Sequence, residues 1–347
     1  MELVNPFKTD AYYGQDFFCG RQDESVRIIK QAHAKVNTIL LGAHRIGKTS
    51  LINYVFGKLK AEKEITCIYF DIQHTENIGE FVQCFYGAMS NEFPEKNRSD
   101  FSKSAEYSLV NLFDFLDKLE IRILIAIDEF QQINRYPEKN ILTVLRQATQ
   151  KLRNVNFIFS CGSEYLLNNF FDDGKESVFT NFDLLQLSGI KKTIYSDFIF
   201  SNFEKHKRSI SKEAIDFILN WSRSHTYYTQ VLCNRMFASN RDNIDIEDVH
   251  EECGRILQEN ESNYFIYRNL LSPVQWLLLK AIAKEEKVYH PTAKQFLMQH
   301  KIGTPANIQR ALDALLSKEM VFAAHDDNKR YYQVYDCFLS RWLENLD

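Results

Sequence analysis

Short apolar runs alternate with longer amphipathic stretches through the first half of the chain. The runs have the length of buried strands, and the stretches between them have the length and pattern of helices. This alternation predicts βαβ units around a buried parallel sheet, with strands at Thr38–Leu41, Cys67–Phe70, Ile121–Ile127, Asn156–Phe159 and Leu184–Leu187.

From about Thr193 the pattern becomes helical only. Ser211 and Asp245 stand where helix N-caps are expected. The predicted helices cover Asp197–His206, Lys212–Arg223, Tyr228–Ala238 and a segment from Asp245 to about Leu257. This change of pattern predicts a separate helical domain after the α/β part.

A further unit begins near Ser272, where Ser272-Pro273-Val274-Gln275 forms a capping box with proline at the first helical position. Three helices and a β-hairpin follow, which predicts a winged helix; they cover Val274–Lys284, Thr292–His300, Pro305–Lys318, Val321–Ala324 and Tyr331–Tyr335. We expect its core, rather than an exposed aromatic surface, to hold Trp276, Phe338, Leu339 and Trp342. The predicted domains are therefore residues 1–191, 192–270 and 271–347.

Composition excludes several classes of protein. With 347 residues, 45% hydrophobic and 25% charged, the chain is globular rather than disordered, collagenous or a coiled-coil rod. A net charge of −4 argues against coating nucleic acid by bulk electrostatics. The seven cysteines include no CxxC pair, so we predict reduced thiols in a cytoplasmic protein. No apolar run has the length of a membrane span, and the first residues lack the pattern of a signal peptide.

One segment carries the clearest chemistry. Residues 42–49 fit the phosphate-loop pattern GxxxxGK(S/T), between a predicted strand and a predicted helix. Backbone N–H groups of such a loop close around phosphate oxygens, and the helix N-terminus adds a positive dipole end. We expect Lys48 to reach the β- and γ-phosphates of ATP and the Thr49 hydroxyl to hold Mg²⁺. The other expected nucleotide contacts are Gly42, Ala43, His44, Arg45, Ile46, Gly47 and Ser50.

Two adjacent carboxylates follow the third predicted strand. Open α/β sheets bind ligands at the carboxyl ends of their strands. We therefore expect Asp128 to bind the metal and Glu129 to orient and deprotonate the attacking water. After the next strand, Ser160 and Ser163 are both candidates to sense the γ-phosphate, and a serine turn bonded to its own backbone is the alternative.

These residues resemble the archaeal-type P-loop ATPases, an AAA+-like group near the origin-recognition ATPases and the signal-transduction ATPases with numerous domains. The resemblance spans nearly the whole chain and is carried by Asn5-Pro6-Phe7, Phe18-Cys19-Gly20-Arg21, residues 45–52, Asp128-Glu129, Gly162-Ser163, residues 224–230 and Val334-Tyr335-Asp336. It implies an α/β P-loop NTPase core with sheet order 5-1-4-3-2, a helical lid and a C-terminal winged helix.

The resemblance also implies roles for residues outside the phosphate loop. Phe18 and Arg21 would lie near the adenine, and His225 would sense nucleotide from the lid, with a packed structural histidine as the alternative. Thr226 stands where the family usually has proline, and Cys161 appears as an insertion before Gly162-Ser163. The choice between Ser160 and Ser163 therefore stays open.

Three functions are compatible with these motifs. The leading hypothesis is a slow ATPase that switches a winged-helix adaptor, with a protein partner or effector on a separate chain. The alternatives are an ATP-dependent DNA-binding loader or initiator and a scaffold that holds nucleotide without turnover. From residue 271 onward the sequence contains 10 Lys and Arg and 9 Asp and Glu. This small excess of basic residues is only weak evidence for DNA binding. Arg146 and Arg153 are either arginine fingers of a homo-oligomer or part of a solvated helix face.

Overall fold

The structure is a computed structural model that describes residues 4–10, 12–93, 105–162, 182–239, 241–326 and 329–346. The chain divides into two compact units. We call Arg21–Leu187 the core unit, and Met1–Gly20 together with Ser188–Asp347 the C-terminal unit. The predicted three-domain division at residues 191 and 270 stays a prediction. Within the described ranges, no helix is both long enough and apolar enough to cross a membrane.

The core unit is a five-stranded parallel sheet with helices packed against it. The strand order is β2-β3-β4-β1-β5, which confirms the predicted order. The elements are α1 Gln22–Ala34, β1 Asn37–Gly42, α2 Lys48–Glu62, β2 Thr66–Asp71, α3 Ile78–Glu92, α4 Ala105–Asp117, β3 Ile123–Asp128, a 3-10 helix Phe130–Arg135, α5 Ile141–Lys151, β4 Val155–Cys161 and β5 Phe182–Leu187.

One face of the sheet forms the main hydrophobic core with α3, α4 and α5. Alternate strand residues such as Ile127 and Phe159 belong to this face, and Phe130 stacks on Phe159 with ring centroids 4.1 Å apart. Side chains alternate along a strand, so a slip of one residue would move this apolar set to the opposite face of the sheet. The buried face therefore fixes the register that places polar strand ends such as Asp128 on the opposite face.

The C-terminal unit is mainly helical and ends in the winged helix. Its elements are α6 Lys192–Lys205, β6 Ser209–Ile210, α7 Lys212–Trp221, α8 Thr226–Ala238, β7 Asn243–Ile244, α9 Ile246–Leu270, α10 Pro273–Glu285, α11 Lys294–His300, α12 Pro305–Ser317, β8 Val321–Asp326, β9 Lys329–Val334 and α13 Cys337–Glu344. Ser211, Asp245 and Ser272 each cap a helix with their side chains, as predicted, and the last two form complete capping boxes.

Helix α9 corrects one prediction, because it continues past Leu257 to Leu270. The apolar period fades after Leu257, yet residues 258–270 contain neither glycine nor proline to end the helix. Tyr264 is buried there, with its ring 5.3 Å from that of Trp342. This tertiary contact stabilises a helical segment that its own sequence pattern does not reveal.

The winged helix has the predicted elements and core. Trp276, Phe338, Leu339 and Trp342 are all buried. Strands β8 and β9 pair antiparallel, and a bridge between Val288 and Tyr332 adds a further strand position. Asp327 and Asn328, between these two strands in the sequence, lie outside the described residues.

The Asn5-Pro6-Phe7 segment packs inside the C-terminal unit. Phe7 is fully buried, with its ring 5.4 Å from that of Phe203 and 6.1 Å from that of Phe237. The Asn5 side-chain amide donates to the Asn234 carbonyl at 2.9 Å, and the Asn234 amide donates to the Phe7 carbonyl at 2.7 Å. This reciprocal pair gives the segment a structural role.

Candidate nucleotide-binding site

The phosphate loop joins β1 to α2 and depends on two glycines. Gly47 has a φ of 103°, which favours glycine. A Cβ on Gly42 would meet Cγ2 of Ile46 at 2.9 Å and Cβ of Leu187 at 3.1 Å. The loop therefore has its tight path because both positions lack side chains.

Lys48 lies at the start of α2 and is buried. Its Nζ donates to the carbonyl oxygens of Gly42 at 3.0 Å and Ala43 at 3.2 Å, so the ammonium lies against the loop. Arg21 is also buried, and its Nη2 donates to the Ile46 carbonyl at 3.3 Å. The structure thus brings Arg21 to the phosphate loop, although its predicted adenine contact stays a prediction.

The Asp128 carboxylate at the end of β3 receives three hydrogen bonds. The Thr49 hydroxyl donates to Oδ2 at 2.5 Å, the Tyr69 hydroxyl donates to the same oxygen at 3.1 Å, and the Glu129 N–H donates to Oδ1 at 3.0 Å. Burial raises the pKa of Tyr69, and the charge of Asp128 raises it further. Tyr69 is therefore a hydrogen-bond donor that orients the carboxylate.

These oxygen atoms fit Mg²⁺. A hydroxyl and a carboxylate are the hard ligands that Mg²⁺ takes in phosphate sites, where it keeps several waters and uses few protein groups. Thr49 Oγ1 and Asp128 Oδ2 lie 2.5 Å apart, so both oxygen atoms are close enough to bind the same ion. Among the residues that the structure describes, no cluster of three or more His, Cys, Asp or Glu side chains could hold a metal by itself.

Glu129 follows Asp128 in a left-handed backbone conformation, with φ 55°. Its Oε2 accepts a hydrogen bond from Nε2 of Gln131 at 2.5 Å, and Oε1 of Gln131 accepts from the Gly162 N–H at 3.0 Å. Burial raises the pKa of Glu129, the Lys48 charge opposes this rise, and the Asp128 charge adds to it. The Gln131 hydrogen bond also lowers this pKa, because it stabilises the ionised form.

Of the two serine candidates, only Ser160 is described, and Ser163 lies outside the described residues. Ser160 is fully buried, and its Oγ has no hydrogen-bond partner among the described residues. It follows Phe159, the register partner of Ile127, so it lies across from Asp128 in the sheet. A buried hydroxyl without a partner is unfavourable unless a ligand or water satisfies it.

The remaining loop residues surround these groups, and their nucleotide contacts stay predictions. Ile46 is buried, whereas the side chains of Ala43, His44, Arg45 and Ser50 are half-buried or exposed. Asp71 is the register partner of Asp128 at the end of β2. Desolvation raises the pKa of Asp71, the charge of Asp128 adds to this rise, and the nearby His44 opposes it.

Phe18 and His225 belong to the C-terminal unit. The Phe18 ring meets that of Tyr12 edge-on at 6.1 Å. His225 directly precedes α8, with its ring 4.7 Å from that of Tyr228. Their predicted roles toward nucleotide stay predictions.

One arginine position differs from the sequence prediction. Arg146 lies on α5, but that helix ends at Lys151 and Arg153 lies beyond it. Leu152 leaves the helix in an extended conformation with its side chain buried, and this ends the helical path before Arg153. The finger role of either arginine stays a prediction.

Comparisons with known proteins agree with this architecture. A family model described as "Probable winged helix domain" matches residues 262–345. No curated protein sequence matches the chain. Among solved structures, a Walker-type ATPase of Pyrococcus abyssi has 15% sequence identity and a TM-score of 0.75, covering 97% of this chain and 99% of that chain.

Two proteins of Aeropyrum pernix are also similar. The ORC2 protein, solved as ADPNP–ADP complexes, has 16% identity and a TM-score of 0.64, covering 99% of this chain and 96% of that chain. The ORC1 protein, solved in complex with DNA, has 15% identity and a TM-score of 0.54, covering 94% and 92%. The fold is therefore that of these Walker-type ATPase and ORC structures, an α/β P-loop core with a C-terminal winged helix. Nearly the whole chain shares it with archaeal Walker-type and ORC proteins.

Proposed function

We propose that this protein binds ATP with Mg²⁺ and hydrolyses it slowly as a molecular switch that acts through its winged helix. One observation carries the proposal: Lys48, Thr49, Asp128 and Glu129 meet at the carboxyl edge of one parallel sheet. This edge is where open α/β sheets bind ligands, and phosphoryl transfer to water uses groups of these kinds to bind phosphate, hold Mg²⁺ and position the water.

Each group has a distinct role in this proposal. Lys48 binds the β- and γ-phosphates, while Thr49 and Asp128 hold Mg²⁺. The ion would neutralise charge on the phosphoryl oxygens. Glu129 orients a water molecule and takes its proton as the water attacks the γ-phosphorus and ADP leaves. Tyr69 keeps the Asp128 carboxylate oriented through its hydrogen bond.

The C-terminal unit contains contacts that support a switch. Arg223 and Ser224 both have positive φ, 57° and 52°, directly before His225. Nη2 of Arg223 donates to the Ser340 hydroxyl at 2.8 Å, and Nε of Arg341 donates to the Trp221 carbonyl at 3.0 Å. The turn before His225 is therefore bonded to α13 of the winged helix. A nucleotide-dependent movement of His225 would be transmitted through this turn.

Amide hydrogen exchange with a non-hydrolysable ATP analogue and with ADP tests the switch. We expect the two nucleotides, each with Mg²⁺, to give different protection in α8 and α13. Arg223→Met should keep the response of α8 and weaken that of α13, because the bond to Ser340 is absent while the bond from Arg341 to the Trp221 carbonyl remains. Arg255→Met is the matched control, since Arg255 pairs on the surface of α9 with Glu251. Identical exchange with both nucleotides would contradict the switch and favour the nucleotide-holding scaffold.

A DNA-binding function is the second candidate, supported by the wing. Nζ of Lys287 lies 4.7 Å from the Tyr331 ring centroid, and the Arg330 guanidinium carbon lies 5.4 Å from that of Tyr332. Nucleic-acid-binding surfaces combine basic side chains, which bind the phosphate backbone, with aromatic rings, on which bases stack. Helix α12 gives less support to DNA binding. Its exposed face carries Asp313 beside Arg310, and a carboxylate there repels the phosphate backbone.

Binding of labelled duplex DNA, measured by fluorescence anisotropy with ATP and Mg²⁺, tests this candidate. A DNA-loader predicts binding that weakens steeply with salt. Lys329→Ala/Arg330→Ala should then weaken it and reduce the salt slope by about 2, since each phosphate contact contributes about 1. Lys284→Ala/Lys294→Ala removes the same charge from other exposed positions of the winged helix and should leave binding unchanged. Absence of DNA binding at low salt would contradict this candidate and favour a protein as the partner of the winged helix.

A further inference from the structure

The 3-10 helix after Glu129 carries two adjacent glutamines with different partners. Nε2 of Gln131 donates to Glu129 Oε2 at 2.5 Å, and its Oε1 accepts from the Gly162 N–H at 3.0 Å. Nε2 of Gln132 donates instead to the Thr75 carbonyl at 2.8 Å. Of these two glutamines, Gln131 is the one that connects Glu129, the proposed catalytic base, to the end of β4.

The orientation of the Gln131 amide follows from its partners. A backbone N–H can only donate, so the Gln131 atom that faces Gly162 must be the oxygen. The –NH₂ group then faces Glu129 and donates to a carboxylate, which can only accept when ionised. The Gly162 N–H thus fixes which end of the amide reaches Glu129.

We propose that Gln131 is a positioning residue for hydrolysis, which holds the Glu129 carboxylate in the orientation that activates water. This inference rests on the proposed function. The Gln131 bond uses Oε2 and leaves Oε1 of Glu129 to accept the proton of water. Bases in active sites are commonly oriented by a third group in this way.

The same amide connects Glu129 to β4. Gly162 directly follows Cys161, the last residue of β4, and the strand also carries the buried Ser160 hydroxyl. Gln131 therefore ties the orientation of Glu129 to the strand end that faces Asp128. A displacement of this strand end would change the geometry of the base without any direct contact between Ser160 and Glu129.

Steady-state ATP turnover of Gln131→Leu and Gln131→Glu in the full chain tests the proposal, with Gln132→Leu as the control. We expect kcat to fall about 10- to 100-fold in both Gln131 variants, because a misplaced base reacts slowly, while KM for ATP changes little. Gln131→Glu can still accept from Gly162 but cannot donate to Glu129, so kcat should fall in this variant even though the bond to Gly162 is kept. Gln132→Leu should keep wild-type kcat.

The split between kcat and KM is a readout that a merely structural role would not give. Loss of a structural contact at this strand end would weaken ATP binding together with turnover, whereas a misoriented base lowers kcat alone. Unchanged or increased kcat in Gln131→Leu, or an equal fall of kcat in Gln132→Leu, would overturn the proposal.

The outcomes separate this inference from the proposed function. Absence of turnover in the wild-type protein would refute the proposed hydrolysis and this inference with it. Wild-type turnover that is unchanged in Gln131→Leu and in Gln131→Glu would refute the positioning role of Gln131 alone and leave the proposed hydrolysis standing.

Discussion

Lys48→Ala should weaken ATP binding by about 100-fold, because charge-assisted hydrogen bonds to phosphate contribute about 3 kcal/mol in total. Lys48 is 4% exposed and its ammonium lies against the loop carbonyls, so it is already placed at the phosphate site. Alanine retains the helical backbone and removes both the charge and the donor. Titration calorimetry with ATP and Mg²⁺ measures the loss directly.

Lys60→Ala is the control for this prediction. Lys60 lies on the same helix and pairs at the surface with Glu92 at 2.7 Å, an exposed pair of small energetic effect. The ATP affinity of Lys60→Ala should equal that of the wild type. The increase of Tm with added ATP should disappear in Lys48→Ala and persist in Lys60→Ala, because a ligand stabilises only the state that binds it. Retained ATP binding in Lys48→Ala would refute the phosphate role.

Glu129→Gln should lower kcat by about 100-fold or more, because general-base catalysis contributes at least that factor, while ATP binding stays within a few-fold of the wild type. Glutamine has the same size and can still accept the hydrogen bond of Gln131, but it cannot take a proton from water. Phosphate release under saturating ATP measures the effect. Glu76→Gln changes an exposed carboxylate on the loop after β2 and should retain full turnover.

The same variant should change the pH dependence of stability. Burial raises the pKa of Glu129 in the folded protein, so the folded state binds the proton more tightly than the unfolded state. Stability of the nucleotide-free wild type should therefore fall as pH rises from the unfolded pKa through the folded pKa. Glu129→Gln lacks this penalty and should have an equal or higher Tm at neutral pH. A lower Tm at neutral pH would indicate that the ionised carboxylate stabilises the empty site.

Together these two substitutions separate binding from chemistry. Lys48→Ala should weaken ATP binding and lower turnover, whereas Glu129→Gln should lower turnover alone. Turnover that survives in Glu129→Gln at the wild-type level would assign the base elsewhere and would leave Gln131 without a catalytic partner. Binding without turnover in the wild type would favour the nucleotide-holding scaffold.

The residues that sequence reasoning missed are those whose partners lie far away along the chain. Tyr69 reads as one more residue of a buried strand, and only the parallel pairing of β2 with β3 brings its hydroxyl to Asp128. Gln131 lies two residues after Glu129, but its second partner, Gly162, is 31 residues further on. The alternation of side chains along β2 was the available signal for Tyr69, and the glutamine pair at 131–132 was the signal for Gln131. Neither signal specifies the hydrogen-bond partner.

Local chemistry explains what was predictable. The phosphate loop, the adjacent carboxylates and the caps Ser211, Asp245 and Ser272 are short segments whose backbone and side-chain requirements are met by neighbouring residues. The resemblance to archaeal-type P-loop ATPases added the sheet order, which strand patterns alone do not specify. The predicted end of α9 at about Leu257 was wrong because the contact between Tyr264 and Trp342 joins residues that are far apart in the chain.

The sequence by itself determined the βαβ pattern, the phosphate loop, the acidic pair and the winged-helix elements, because each depends on residues close together in the chain. Tertiary structure alone decided which side chains bond to the Asp128 carboxylate, that Gln131 bridges Glu129 and Gly162, and that the Asn5-Pro6-Phe7 segment packs with Asn234 in the C-terminal unit. These outcomes depend on strand register and on contacts across long stretches of chain, which are set by burial of the whole apolar surface rather than by any one segment.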